Sequence, residues 1–211
     1  MTRFLSTASM WTLSFTLALL VGWTGLADSA TAQDRDGELP RLSPNAEVMQ
    51  TIGVTDVHIA YGRPSMRDRD IFGDLVPYGE IWRTAADEAT AITFEHDVRI
   101  EGEPLDAGTY AFFTIPDEDA WTLIFNEDVD QWGAYEHTPD DDVIRIENVT
   151  PEEGPEREMF TILFEHVDAT SGSIVLHWDN VRVPFTVEVD THDILRDRHE
   201  RIETWLDENT E

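Results

Sequence analysis

The chain is expected to fold as an all-β, antiparallel β-sandwich or flattened barrel of about nine or ten strands, and three observations predict it. Apolar and polar residues alternate over short runs: Val57, Ile59 and Tyr61 fall on one face, and Asp56, His58 and Ala60 on the other. Gly, Pro, Asn and Asp interrupt these runs at short intervals, as hairpin connections require. The 211 residues include no cysteine, so no disulfide framework is available and stability must come from a hydrophobic core.

The first segment is set apart from that fold. Arg3 supplies a positive end, Phe4 to Leu26 is largely apolar, and Ala30-Thr31-Ala32 is a small-x-small cleavage site. Residues 1–32 therefore read as a signal peptide, which places the rest in the periplasm or outside the cell. The alternative is a retained membrane anchor, since the run is long enough to span a bilayer. Residues 33–42 are polar and are expected to form a disordered tail.

Charge narrows the partners. Asp and Glu number 44 against 14 basic residues, every one of them arginine, for a net charge of −30. Such a surface repels nucleic acid and anionic membranes, both polyanions. It suits a protein adapted to high salt, where the Debye length falls to about 3 Å at 1 M and self-repulsion is screened.

From Ser43 to Asp190 the chain reads as one β-domain. Residues 46–52 and 55–61 are strands about a turn at Gly53, and Ile92 and Phe94 restart the alternation after a long connection. Val98 to Gly102 enters a tight turn, and Gly108 to Ile115 is rich in aromatic and β-branched residues until Pro116 ends it. Trp121 to Phe125 is its hairpin partner. Residues 143–147, 160–167, 173–179 and 182–189 follow as strands, separated by Pro139-Asp140-Asp141, a Thr150 to Arg157 loop, Ser171-Gly172 and Asp179-Asn180. Residues 191–211 differ: Ile194, Leu195, Arg198, Ile202, Trp205 and Leu206 recur at three- and four-residue steps. That spacing predicts an amphipathic helix capped by Asp190 or Thr191, its stripe docked on the domain.

The connection from Tyr61 to Thr90 holds most of the distinctive chemistry. Four arginines (Arg63, Arg67, Arg69 and Arg83) fall within it. Gly73, Gly79, Pro64 and Pro77 forbid one regular element. Ile71, Phe72, Leu75, Val76, Tyr78, Ile81 and Trp82 make it too apolar to float in water, so it should fold down as a packed lid.

These residues carry a resemblance. Tyr61-Gly62-Arg63-Pro64-Ser65, Arg69 with Ile71-Phe72-Gly73, Leu75-Val76-Pro77-Tyr78-Gly79, Trp82-Arg83-Thr84 and Ala89-Thr90 come first in order. Ala107-Gly108-Thr109-Tyr110, Trp121, Asn126, Gln131-Trp132-Gly133 and Arg145 follow. Together they resemble the bacterial Domain of Unknown Function 2911 family over about residues 43–190. The resemblance implies an exported β-rich domain without an assigned activity, and hence no catalytic residues to carry over. Where the family pattern has Gly-Ala-Asn, this chain has Ala85-Ala86-Asp87, which loses a glycine able to take positive φ and exchanges an amide for a carboxylate.

Candidate sites are few. Arg63, Arg69 and Arg83 could converge on a carboxylate, phosphate or sulfate; the competing reading pairs each with acids among Asp68, Asp70, Asp74, Glu80, Asp87 and Glu88 to pin the lid. Trp132 lies in a loop where a ligand can reach it, with Asn126, Gln131 and Asp130 able to hydrogen-bond a saccharide. Asn126, Asp128 and Asp130 alternate like a calcium loop, but Gln131 stands where glycine is needed, and the seven histidines lack ligand spacing. No metal or cofactor is therefore expected. Nucleophile elbows and phosphate-binding glycine loops are absent. The reading is a non-enzymatic module that binds a small anion or saccharide through Arg63, Arg69, Arg83, Asp87, Asn126, Gln131 and Trp132. The alternatives are a hydrolase using Asp87 with His137 or Asp130, and a structural envelope domain that docks on a protein partner.

Overall fold

The computed structural model describes residues 40–209; the segment read as a signal peptide and nearly all of the expected tail lie outside them. Ten strands and one helix follow in order: β1 (Asn45–Ile52), β2 (Thr55–Gly62), β3 (Thr90–Phe94), β4 (Val98–Ile100), β5 (Glu103–Leu105), β6 (Gly108–Ile115), β7 (Trp121–Asn126), β8 (Asp142–Val149), β9 (Glu152–Glu165), β10 (Ser171–Val189) and α1 (Thr191–Asn209). They form two open antiparallel sheets, a six-stranded one ordered β1-β2-β3-β6-β7-β8 and a four-stranded one ordered β5-β4-β10-β9. The architecture is thus a sandwich and not a closed barrel. Its core is the inward set of the alternating residues, including Ile59, Ile92, Phe112, Phe125, Ile174 and Phe185, all essentially inaccessible.

Two expected boundaries are overturned. The Thr150 to Arg157 loop is extended, and β9 runs straight through it; the break at Asp179-Asn180 is a bulge inside β10, with register shifts on both sides of Asp179. Asp179 takes φ 52° there, a conformation that Asp and Asn tolerate in bulges as readily as in turns. Pro155 is accommodated because β9 is the outer strand of its sheet, where a missing N–H breaks no ladder.

The lid is packed, as its apolar content predicts. Its first stretch pairs with the outer edge of β9: Met66 N–H donates to Glu158 O at 2.8 Å and Phe160 N–H donates to Pro64 O at 2.9 Å. It then crosses to the other sheet, where Trp82 and Thr114 exchange backbone hydrogen bonds of 2.7 and 2.9 Å along β6 just past the residue where β3 begins. Between these attachments Phe72 and Trp82 enter the core. Trp82 stacks on Trp178 of β10 at 6.1 Å, while Phe72 meets Trp121 of β7 edge-on at 5.1 Å. Aromatic pairs of this kind contribute about 0.5–1.5 kcal/mol each beyond their burial. The close approach also explains Gly62: a Cβ there would lie 2.4 Å from the Ala86 carbonyl oxygen.

Helix α1 begins as expected, with Asp190 as the cap: its carboxylate accepts from Asp193 N–H at 3.0 Å. Thr191 instead donates to Ala169 O. Docking stops at the first turn. Ile194 packs on the core, but no helix residue is buried, and the stripe expected to cover the domain faces outward.

Candidate functional site

The lid arginines follow neither expected pattern, because most of them cap backbone carbonyls. Arg63 donates to Phe160 O (3.0 Å) and Thr161 Oγ1 (2.7 Å) on β9. Arg69 donates to Met66 O (2.8 Å) and Ser65 O (2.7 Å), and Arg67 reaches Leu42 O. Arg69 thus satisfies carbonyls of the connection itself, which lacks regular structure, while Arg63 ties the connection to β9 and Arg67 ties it to the segment before β1. Arg63 and Arg69 are therefore not brought together with Arg83.

Arg83 stands apart. Its Nε is buried and has no hydrogen-bond partner, and no carboxylate lies within ion-pair distance among the described residues. Burial lowers its pKa from the usual arginine value, against the opposing pull of Asp87 and Tyr135. The side chain lines a cleft of about 470 Å³ with Leu75, Val76, Ile81, Trp82 and Tyr135, and Glu80 at its rim.

The far wall of this cleft belongs to the loop between β7 and β8, which is built by a buried polar network. Asn126 Oδ1 accepts from Gln131 Nε2 at 2.9 Å, and Asn126 Nδ2 donates to Asp142 at 2.9 Å. Asp142 also receives His137 and Arg145, each at 2.8 Å. Burial would raise the Asp142 pKa, but the bonds from Asn126, Arg145 and His137 outweigh it and hold the carboxyl below its usual range. Asn126 and Gln131 are thus scaffold, and so is His137, whose side chain is 7% exposed and bound to Asp142. The loop is stitched to the lid by Gly133 N–H to Asp87 O (3.0 Å) and Ala89 N–H to Gln131 O (3.1 Å).

The loop presents two aromatic rings. Trp132 and Tyr135 stack at 6.3 Å with planes 17° apart and are 58% and 85% exposed. Gly133 between them has φ 75°, and a Cβ there would press on the Tyr135 ring at 3.0 Å. Asp87 takes φ 66° and Thr84 φ 55°, so the left-handed turns of this segment fall on Thr84 and Asp87; Ala85, where a glycine was expected, does not need one. Asp87 carries a partly exposed carboxylate near Arg41, at 3.9 Å. Of the seven residues expected at a site, only Arg83 lines this cleft; Asp87 acts on Arg83 through its charge, and Trp132 stacks on the lining Tyr135. Tyr135 and the apolar wall from Leu75 to Ile81 join Arg83; the only signal for these was an apolar connection and a glycine beside aromatics.

No group of three or more His, Cys, Asp or Glu suited to a metal ion occurs among the described residues. The calcium-like alternation is taken up internally, as Asn126 Oδ1 accepts from Asp128 N–H and Asp128 Oδ1 from Asp130 N–H.

These features define the class: an all-β sandwich whose lid plugs the core and borders an arginine-bearing cleft against an aromatic loop. A family model described as "Protein of unknown function (DUF2911)" matches residues 43–187, and the chain belongs to that family. No curated protein and no solved structure matches the chain.

Proposed function

We propose that the chain is an exported, non-enzymatic binding module that takes a small organic anion in the cleft between lid and loop, with Arg83 as the anion contact. One observation carries this reading. In a chain with 44 acidic residues, Arg83 is half-buried beside an open cleft and pairs with none of them among the described residues. A buried guanidinium Nε–H left without a hydrogen bond costs stability, and such a cost is a mark of groups that meet a ligand. The apolar wall and the paired rings of Trp132 and Tyr135 suit a ligand body that is flat or hydrophobic. Export rests on the leader-like residues 1–32.

The test is a thermal-shift and calorimetric screen against benzoate, aliphatic monocarboxylates, inorganic phosphate and neutral disaccharides, on the native chain and on Arg83→Met. A carboxylate should raise the melting temperature of the native chain. Loss of a bidentate, charge-assisted bond worth about 1.5–3 kcal/mol should weaken its binding ten- to about a hundredfold in Arg83→Met. The melting temperature of unliganded Arg83→Met should hold or rise, because a buried unpartnered donor is removed while the apolar stem is kept. Equal carboxylate binding by both proteins, or none by the native chain, overturns the proposal.

A further inference from the structure

At the outer strand of the four-stranded sheet, apart from the residues that line the Arg83 cleft, two arginines converge on one hydroxyl. Thr161 Oγ1 on β9 accepts from Arg63 Nη2 at 2.7 Å and from Arg157 Nη1 at 3.4 Å, and donates to Met159 O at 3.0 Å. Its one proton and both lone pairs are then spent, so it spaces the two cations without neutralising either. Each guanidinium is fixed by a further bond: Arg63 Nε donates to Phe160 O at 3.0 Å, and Arg157 Nε donates to His177 Nδ1 at 3.1 Å. The imidazole is held in turn, since its Nε2–H donates to Pro155 O at 2.9 Å. The β9 acids Glu152 and Glu165 are taken by Arg182, at 3.3 and 2.7 Å. Neither Arg63 nor Arg157 has a carboxylate within ion-pair distance among the described residues. Arg63 Nη1 and Arg157 Nη2 bond to no described residue and are open to solvent.

We infer that Arg63 and Arg157 form a second anion site, independent of the Arg83 cleft, for a tetrahedral dianion: a phosphate group, free or in a monoester. Sharing one hydroxyl holds the two cationic groups within about 6 Å of each other, where like charges repel and a bridging anion relieves the repulsion. Charge selects the occupant. Arg182 is offset by its own carboxylates, which leaves two positive charges; a dianion balances both, and a carboxylate only one. Geometry selects it again, because the two groups come from different elements, the lid and β9, and their free Nη groups reach separate oxygens of one ligand. A tetrahedral oxyanion offers such oxygens, whereas a planar carboxylate suits a single guanidinium edge. The bonds to Phe160 O and His177 fix both groups before anything binds, which lowers the ordering cost of association.

The experiment is calorimetric titration of the purified chain with inorganic phosphate, glycerol 3-phosphate and acetate, from about 0.05 to about 20 mM, in about 0.5 M sodium chloride to screen the chain's own charge. The expected result is a single phosphate site per chain, with acetate bound at least about tenfold more weakly. Arg157→Gln and Arg63→Gln each remove one of the two charges and should weaken phosphate binding at least about tenfold. Arg83→Met should bind phosphate as the native chain does, so this site and the cleft are tested separately. Tighter binding of glycerol 3-phosphate marks a monoester as the occupant, and equal or weaker binding marks the free ion. On the native chain alone, phosphate should shift the Nε–H resonances of Arg63 and Arg157 and leave that of Arg83 in place, a readout that stands even if a variant unfolds. No phosphate binding by the native chain, undiminished binding by Arg157→Gln, acetate as tight as phosphate, or loss of binding in Arg83→Met overturns the inference.

Discussion

Replacing Trp82 by alanine tests whether the lid holds the two sheets together. The indole is 8% exposed and touches Phe72 (6.1 Å), Trp121 (6.3 Å), Phe160 (5.4 Å) and Trp178 (6.1 Å). Its Nε1–H donates to Ala85 O at 3.2 Å. Removing a buried Trp side chain costs about 3–5 kcal/mol, a large share of the roughly 5–15 kcal/mol that such a domain has in total. At about 2–4 °C per kcal/mol for this size, the melting temperature should fall by about 6–20 °C. Urea unfolding should show the same loss at an unchanged slope, because the surface exposed on unfolding is nearly the same. Trp82→Phe keeps most of the ring contact and loses the Ala85 bond, so it should cost less than half as much. A loss below about 1 kcal/mol in Trp82→Ala would refute the reasoning, since it would mean that the plug contributes no more than an exposed side chain.

Three further outcomes follow from the geometry. Asp142→Asn leaves His137 and Arg145 without their shared carboxylate and should cost about 3–5 kcal/mol, read as a lower melting temperature and faster proteolysis of the loop between Glu127 and Thr138. His177 is buried; its Nδ1 accepts from Arg157 and its Nε2–H donates to Pro155 O. Burial, with Arg157 and Arg182, lowers its pKa against the Pro155 bond. The unfolded state therefore takes up the proton first, so stability from this group is complete above about pH 6.5 and declines as pH falls through the folded value; melting curves from pH 8 to pH 5 should show a decline that His177→Gln flattens. Finally, with a net charge of −30, the melting temperature should rise by several degrees between about 0.05 and about 2 M sodium chloride as repulsion is screened, and an unchanged value would count against salt adaptation.

How far the sequence could be read depended on whether a residue acts on its neighbours or on distant backbone. Alternation in β2, β6 and β7 is local and marks the strands directly. The apolar lid was legible because Phe72, Val76 and Trp82 cannot stay in water in one connection. The arginines were not, because Arg63 and Arg69 bind carbonyls, which every residue carries and no sequence marks. Asn126 and Gln131 look like ligand groups for the same chemical reason that they serve as loop scaffold: an amide offers both a donor and an acceptor. The β10 break failed because Asp179-Asn180 suits a bulge as well as a turn. The helix stripe was correctly seen as apolar, but periodicity says nothing about what covers it.

Strand β10 belongs to two ladders at once, carrying β9 along Ser173 to Arg182 and β4 along Val187 to Val189. Its own side chains reach from the aromatic plug at Trp178 to the root of the helix. The inner strand β10 thus cannot open without breaking both ladders, and amide protons near Val175 and Leu176 should exchange only when the whole domain comes apart.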